Sequence, residues 1–348
     1  MAAPAVDVPQ TVPETPRRRE TARVAGLLVA LLLLAVVLML SLAIGARSIP
    51  LGTSWRLLWH DDGSASAAIL HDLRIPRTLI GLLVGASLGL SGGLMQALTL
   101  NPLAEPGLLG VNLGASTGVV IAIAFAGVST LDGYIWFAFA GAGLTSVAVF
   151  VLGSTGRSAN PERQVLAGIA ITAVLGSFVY GVLVTKPDVF DRYRFWDVGS
   201  LGDLRPSSGA QVLPFVLVGI VLALALGPAL NALALGEETG RALGAHIFRT
   251  RALGMLAVTL LCGAATAAAG PIWFVGLAVP HIARMVTGPD QRWILLYSMI
   301  LAPALLLAAD VIGRVVVAPS ELEVGIVTAF LGAPVFIALA RRRRVGEL

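Results

Sequence analysis

The feature that most constrains this chain is a succession of long apolar runs that fill most of its 348 residues. A transmembrane helix needs about 20 consecutive, mostly apolar residues. Runs of this kind lie near residues 24–45, 76–99, 107–126, 134–153, 164–185, 210–230, 252–269, 293–313 and 324–340, with a shorter one at 271–284. The composition agrees, since 57% of the residues are hydrophobic and only 13% are charged. The sequence therefore predicts an all-α integral membrane protein of about ten transmembrane helices.

The N-terminal 23 residues differ from the rest of the chain, because they are polar, rich in proline and end in a cluster of arginines. They predict a disordered cytoplasmic tail at 1–23 before a ten-helix transmembrane domain at 24–344. A cleaved secretory signal is the alternative, but the apolar run that follows is longer than the apolar region of a signal peptide. With ten crossings, the arginine distribution favours a cytoplasmic location for both termini.

A glycine-rich run between Arg74 and Gly110 indicates a helix that packs closely against another. Its small residues recur three, four or seven positions apart, which leaves one helical face nearly bare. These residues are Gly81, Gly85, Gly89, Gly92 and Gly93, and the polar Gln96 and Asn101 follow them. Tight packing alone can explain the glycines. Their combination with arginines at one end and polar groups at the other favours a functional helix.

A weak internal repeat appears when the sequence is shifted by about 178 residues. Gly85, Gly92 and Pro102 then fall on Gly263, Gly270 and Pro280. Five predicted crossings separate the two copies, so the copies would have opposite orientations in the membrane. Inverted repeats are typical of many transporters, although chance matching in a chain rich in glycine and alanine is the alternative.

The sequence contains no indication of several other functions, namely ATP hydrolysis, metal binding and nucleic-acid binding, or of a disulfide. No G-x-x-x-x-G-K-[ST] loop is present to hold nucleotide phosphates, so we expect no ATP hydrolysis by this chain. The single cysteine, Cys262, lies in an apolar run and allows no intrachain disulfide. The histidines, including His281, are scattered without paired spacing, so we expect no metal site and a structural hydrogen bond for His281. No basic patch with interleaved aromatic residues indicates nucleic-acid binding.

Several ordered motifs carry a resemblance to a known family. They begin with Arg74-Ile75-Pro76-Arg77 and the glycine run, and continue through Asn101–Gly107, Leu233–Glu237, Gly270–Arg284, Asp310 with Arg314, and Glu321–Phe336. In this order they resemble the FecCD/BtuC-like permeases, which import iron siderophores, haem and vitamin B12. The resemblance covers nearly the whole chain after the tail. Within it, Gln96, Asn101, Pro102, Pro280, His281 and Arg284 stand at positions of the family motifs.

The resemblance implies a BtuC-like fold and a non-catalytic transport subunit in the cytoplasmic membrane of a bacterium. Such a subunit dimerises with a second permease, binds two ATP-binding-cassette ATPases and receives substrate from an external binding protein. It binds no cofactor itself, because ATP and magnesium belong to the partner ATPases. We expect a ferric siderophore as substrate, with cobalamin or haem as the alternative. An ion-coupled secondary transporter that uses Asp310 is an alternative of another class.

The loop at 228–248 is the predicted contact with the ATPase. Acidic residues near its start and Arg241 later in it can cap short helices, and Gly240 and Gly244 can allow a bend between them. Such a compact knob can dock on a partner, although a solvated loop is the alternative. The resemblance implies that Leu235, Gly236, Glu237, Arg241, Leu243 and Gly244 form the coupling surface.

Three arginines at the predicted external side form a second candidate site. Arg74 and Arg77 are three residues apart and share a helical face, and Arg314 lies at another outer helix end. The resemblance implies that all three pair with acidic residues of the binding protein, a task that suits the planar guanidinium. Interfacial anchoring is the alternative. Asp310 lies four residues before Arg314, so these two side chains can pair on one helical face.

The resemblance also places the fifth crossing along the translocation pathway at a dimer interface. Its small and mildly polar residues are Gly168, Thr172, Gly176, Ser177 and Tyr180. The start of this crossing, Asn160–Arg163, lacks the consecutive small hydroxyl residues that form a gate in vitamin B12 importers. This departure disfavours cobalamin as the substrate.

Overall fold

The computed structural model describes residues 16–45, 48–128, 130–154, 161–202, 206–242 and 244–342. Helices dominate this part of the chain, and it contains no β-strand. The helices are α1 Pro16–Ala43, α2 Leu51–Trp59, α3 Ala65–Ala68, α4 Ile75–Thr99, α5 Val111–Ala124, α6 Leu131–Ser154, α7 Pro161–Thr185, α8 Pro187–Asp197, α9 Pro206–Ala225, α10 Gly227–Ala234, α11 Glu237–Ala242, α12 Ile247–Ala269, α13 Val275–Thr287, α14 Gln291–Val316 and α15 Val324–Arg342. A π-helical turn, Ile69–Arg74, joins α3 to α4, and a 3₁₀ turn, Pro106–Leu109, precedes α5.

The membrane helices agree with the prediction of about ten. Among the described residues, seven helices have the length and apolar character needed to cross a membrane, and α5, α13 and α15 supply three shorter apolar helices. Some boundaries differ from the prediction; the run at 210–230, for example, is divided between α9, which ends at Ala225, and α10. The run at 107–126 is α-helical only over Val111–Ala124, because Gly110 adopts a left-handed conformation with φ of 73°. In the N-terminal tail, α1 begins at Pro16, so residues 16–23 are helical, while residues 1–15 lie outside the described part.

The predicted bare glycine face of α4 lies against two other helices. A side chain at Gly85 or Gly89 would meet the backbone of α14 at Pro303 or Ser298. A side chain at Gly92 would meet the backbone of Gly276 at the start of α13. Since only glycine lets two backbones approach so closely, these residues place α4 at the centre of the fold.

These packing contacts also define the two ends of the molecule. Arg77 at the start of α4 bonds Asp310 late in α14, whereas Leu98 at the end of α4 lies against Gly254 near the start of α12. We call the first end, with Arg74, Arg77 and Arg314, the arginine end. The second end carries α10 and α11 and is called the knob end. Arg23 early in α1 bonds the end of α13 there, so α1 starts at the knob end.

The antiparallel arrangement of α4 and α12 agrees with an inverted repeat, whereas two of the proposed residue matches do not. The contact between Leu98 and Gly254 makes α4 and α12 antiparallel, as an inverted repeat requires. However, Gly92 lies inside α4, whereas its proposed match Gly270 caps the end of α12 with φ of 76°. Likewise, Pro102 lies in a loop and Pro280 inside α13. The 178-residue shift is therefore the wrong register for these pairs.

Candidate functional site

A buried carboxylate organises the arginine end. Asp310 is 1% exposed, and each of its carboxylate oxygens accepts from a different arginine. Oδ1 accepts from Arg77 Nε at 3.1 Å and Nη2 at 2.7 Å, and Oδ2 accepts from Arg314 Nη2 at 2.6 Å. The predicted pairing of Asp310 with Arg314 is confirmed. Two cationic partners reduce the cost of burying the charge, which is the arrangement of a structural ion network.

The end of α1 supplies further acceptors to these arginines. Arg314 Nη1 donates to the backbone oxygens of Ser41 and Ile44, at 3.0 and 3.1 Å. Arg74 Nη1 donates to the backbone oxygen of Leu42 at 2.7 Å. Carbonyl groups in the last turn of a helix have no partner within it, and cations there are favourable. Arg74 and Arg314 therefore cap α1 and fasten it to α4 and α14.

We define the outer cluster as Arg74, Arg77, Asp310, Arg314 and Glu321. Arg77 Nη1 donates to Glu321 Oε2 at 2.7 Å, and this contact is exposed. Arg74, Arg77, Arg314 and Glu321 also line a cavity of about 400 Å³. A cavity with several fixed guanidinium groups is suited to acidic side chains of a partner.

The structure brings the three predicted docking arginines together but buries them to different degrees. Arg74 and Arg314 are 6% and 2% exposed, and their described hydrogen bonds are made to the chain itself. Arg77 lies nearer to the surface, with 13% of its side chain exposed. Docking by these residues stays a prediction. Among the three, Arg77 presents the most accessible guanidinium.

At the opposite end, α10 and α11 form the predicted knob. Gly236 separates the two helices with φ of 97°, and Gly244 follows α11 with φ of 84°. Gly240, which was also predicted to allow a bend, instead lies buried in α11 against the Ala232 backbone. The bend therefore uses the glycines on either side of α11, where only a residue without a side chain adopts this backbone freely.

The predicted coupling residues spread over this knob. Leu235 is 61% exposed, so its apolar side chain is accessible on the surface of the knob. Gly236 follows Leu235 directly, Glu237 and Arg241 lie in α11, and Gly244 lies after that helix. Leu243 lies outside the described residues. The accessible surface fits a protein contact, and its role in coupling stays a prediction.

Asparagine 231 connects the knob to the membrane helices. Its side-chain amide donates to Asp290 Oδ1 at 2.7 Å, and its Oδ1 accepts from the backbone N–H of Gln291 at 2.7 Å. Asp290 is the N-cap of α14 and also lies 3.8 Å from Arg23 of α1. We call Asn231, Asp290 and Gln291 the knob joint. Movement of α10 is therefore linked to the start of α14.

Two re-entrant segments meet between the two ends. The chain turns back after α4 at 101–110, and again after α12 at 270–274, before the short helices α5 and α13. Gly110 lies against Thr145 and Thr172, about halfway along α6 and α7. The Glu105 carboxylate accepts from the backbone N–H of Phe274 at 2.8 Å, at the N-terminus of α13. A carboxylate is favourable at this position because the helix dipole is positive there.

Of the residues of the family motifs, Gln96 links two elements at this central junction. Gln96 Nε2 donates to the backbone oxygen of Leu277 at 3.1 Å, and Asn101 Oδ1 accepts from the Leu103 N–H at 3.0 Å. Pro102 lies in the same turn, while Pro280, His281 and Arg284 lie on α13. Among the described residues, no three histidine, cysteine, aspartate or glutamate side chains are placed to hold a metal ion.

The predicted pathway residues of α7 do not share one face. Gly168 is buried, and Gly168 and Thr172 face the chain's own Gly110. Ser177 and Tyr180 are exposed, and Tyr180 reaches 71% exposure. Helical geometry is the reason, since Gly168 and Ser177 are nine residues apart and point to opposite sides. A pathway lined by α7 would therefore use the second half of the proposed set, with Gly176 at its edge.

Four residues of the site were not predicted from the sequence. Glu105, Asn231, Asp290 and Glu321 had no assigned roles, yet each contacts an element distant in the chain. Glu105 and Glu321 had a usable signal, because an acidic residue beside prolines or long apolar runs needs a partner. Asn231 carried a similar signal inside an apolar helix. Their partners could not be identified without the fold.

The helices, the re-entrant segments and the polar assemblies at both ends define a multi-pass membrane protein of the transport class. The model of the FecCD transport family matches residues 33–342. The chain therefore belongs to the FecCD transport family. Members of this family among its relatives are permeases named for ferric siderophores, hemin and cobalamin.

Individual relatives are similar to this chain over nearly its full length. The ferric enterobactin transport system permease protein FepD of Escherichia coli (strain K12) is 49% identical over 91% of this chain and 95% of its own length. The Fe(3+)-citrate import system permease protein YfmD of Bacillus subtilis (strain 168) is 39% identical over 94% and 98%. A solved structure described as an inward-facing metal-chelate type ABC transporter has a TM-score of 0.81 at 27% identity, covering 91% of this chain and 98% of that one.

Proposed function

We propose that this protein is the permease subunit of an ATP-binding-cassette importer that moves a ferric siderophore into the bacterial cytoplasm. The observation that carries the proposal is the placement of two different docking surfaces at opposite ends of one bundle. A guanidinium-lined cavity lies at one end and an exposed helical knob at the other. An importer of this kind needs both surfaces, one for an external binding protein and one for an ATPase.

The outer cluster is the proposed receptor for the external binding protein. Arg77 is the most accessible of its arginines, while Arg74 and Arg314 hold the surrounding helices in place. Acidic residues on the binding protein would supply the complementary charge, which mainly increases the rate and specificity of association. In this arrangement the arginine end faces outward and both termini face the cytoplasm, with the protein in the inner membrane.

The knob is the proposed contact with the ATPase, which would hydrolyse ATP with its own magnesium. This chain supplies no catalytic residue and no cofactor in the proposal. Leu235 and the α10–α11 bend would form the contact, and the knob joint would pass its movement to α14. A second permease subunit, identical or related, would pair with this one along the exposed side of α7, where Ser177 and Tyr180 face outward.

The substrate class rests on the relatives. Relatives at 49% and 39% identity are named for ferric enterobactin and ferric citrate, both iron chelates. Haem and cobalamin are the alternative substrates within the same family. An ion-coupled transporter is less well supported, because both oxygens of Asp310 accept from arginines and leave little room for a proton carrier.

Two experiments test the proposal. Purification from native membranes in mild detergent should recover an ATPase and an external binding protein, identified by mass spectrometry. A deletion strain should then lose growth on one ferric siderophore within a panel that also contains haem and cobalamin. Recovery of the permease alone, together with uptake in vesicles driven by an ion gradient, would contradict the importer assignment. Loss of growth on haem alone or on cobalamin alone would identify that compound, rather than a ferric siderophore, as the substrate.

A further inference from the structure

The accessible edge of the outer cluster is already occupied by a carboxylate of the chain itself. Arg77 points its Nε and Nη2 inward to Asp310, and its Nη1 outward to Glu321 at 2.7 Å. The two carboxylates differ in burial, since the Asp310 side chain is 0% exposed and the Glu321 side chain 35% exposed. The inner contact is therefore enclosed, whereas water and a partner protein can reach the outer one.

The backbone beside Glu321 is held in place, while its side chain is partly exposed. The next residue, Leu322, donates its N–H to the Gly313 oxygen of α14 at 3.0 Å. Gly325 donates to the Gly199 oxygen at 3.0 Å and fixes the start of α15. Because the backbone is anchored, the Glu321 side chain can leave Arg77 by rotating about its own bonds. Such a release needs no movement of a helix.

We propose that Glu321 is an internal competitor for the docking site, which a carboxylate of the external binding protein displaces from Arg77. This inference rests on the proposed docking role of the outer cluster. In the undocked permease, Glu321 neutralises the exposed edge of Arg77 and suppresses contacts with unrelated anions. On docking, an acidic side chain of the partner takes the same guanidinium edge, and Glu321 turns toward water.

The expected size of the effect follows from the exposure of the contact. Exposed ion pairs contribute little, because solvent screens them and holding two long side chains costs entropy. Removing the competitor should therefore strengthen docking by about two- to fivefold. The loss of competition for Arg77 should appear as a slower dissociation rate, since this contact forms after encounter. The general loss of an exposed negative charge acts instead on the association rate.

The test compares Glu321→Gln with the unaltered permease in lipid nanodiscs, assembled with its ATPase. The probe is the purified external binding protein of the same transporter, loaded with ferric enterobactin and immobilised for kinetic binding measurements. Asp72→Asn is the matched control, because Asp72 is exposed at the same end and two residues from Arg74. It removes the same charge without removing either described partner of Arg77. We expect the gain for Glu321→Gln and little change for Asp72→Asn.

Arg77→Gln separates this inference from the docking role. It should weaken docking, and Glu321→Gln should add no gain in its background. If Arg77→Gln does not elute as a folded assembly, Arg77→Lys replaces it. Weaker docking with Arg77→Gln but unchanged docking with Glu321→Gln would contradict the proposed competition by Glu321. The proposed docking role of the outer cluster would still hold. Equal gains for Glu321→Gln and Asp72→Asn would also overturn it, as a general charge effect. Unchanged docking in every variant would contradict both the competition by Glu321 and the docking role of the outer cluster.

Discussion

The two ends of α14 are fastened to the rest of the molecule in opposite ways. At its C-terminal end, Asp310 and Arg314 belong to a buried network that includes Arg77 and caps α1. At its N-terminal end, the amide side chain of Asn231 makes the described hydrogen bonds between α14 and the knob. The helix has 26 residues and spans roughly 39 Å between these attachments.

This difference assigns different mechanical tasks to the two ends. Breaking a buried ion pair leaves an uncompensated charge, so the arginine end resists rearrangement. A hydrogen bond to a partly buried amide contributes about 1 kcal/mol, so the knob end can shift at modest cost. The arginine end is thus suited to hold a rigid receptor, and the knob end to act as a movable joint. Variants at three positions, Asp310, Gly92 and Asn231, test this contrast.

The largest loss of stability is expected from Asp310→Asn at the arginine end. Asparagine keeps the shape of the side chain but removes the charge that balances Arg77 and Arg314. Arg314 therefore loses its buried ion-pair partner, and of its described ion pairs Arg77 keeps only the exposed contact with Glu321. Loss of one partner of a buried pair costs about 3–5 kcal/mol. Thermal unfolding in detergent, followed by circular dichroism and by size-exclusion chromatography, should show a strongly lowered midpoint.

Asp188→Asn is the control for that loss, since Asp188 is exposed on α8 and the same charge is removed there. Exposed substitutions of this kind usually change stability by less than about 0.5 kcal/mol. Similar midpoints for Asp310→Asn and the unaltered protein would show that the cluster is not the rigid end. In that case the contrast between the two ends would be wrong.

A smaller loss of stability is expected from a substitution midway along the molecule, where α4 meets α13. In Gly92→Ala the added methyl group would overlap the backbone of Gly276, which cannot move aside as a flexible side chain can. Overpacking of this kind costs about 1–3 kcal/mol. Gly143→Ala is the control, because a methyl group at Gly143 meets nothing within 4 Å. A lowered unfolding midpoint for Gly143→Ala, or an unchanged one for Gly92→Ala, would contradict the close approach.

The helices of this fold could be predicted from the sequence, because each apolar run of membrane length must satisfy its backbone hydrogen bonds internally. The two short helices show the limit of that reasoning. Hydropathy extends the run at 107–126 across Gly110, although the chain there bends into a re-entrant segment. Likewise, the left-handed backbone of Phe274, with φ of 70°, could not be read from a bulky aromatic residue that rarely adopts it.

The site could be predicted in part for a similar reason. Asp310 and Arg314 are four residues apart, and local helical geometry suffices to pair them. Arg77 and Glu321 are 244 residues apart, so their contact depends on how α4, α14 and α15 assemble. The same holds for Asn231 and Asp290, which are 59 residues apart. Pairings of this kind need the tertiary structure, even where each polar residue stands out in the sequence.

The smallest change in stability is expected from Asn231→Ala at the knob joint. The variant removes the amide that bonds Asp290 and Gln291, but both groups are only partly buried and can bond water, so the loss should be about 1 kcal/mol. Thr259→Ala is the control, because the Thr259 hydroxyl bonds Met255 within the same helix and joins no two elements. If the joint transmits movement, Asn231→Ala should reduce siderophore uptake per ATP hydrolysed in proteoliposomes, whereas Thr259→Ala should not. Equal uptake per ATP hydrolysed in both variants would show that movement of the knob is transmitted through contacts other than Asn231.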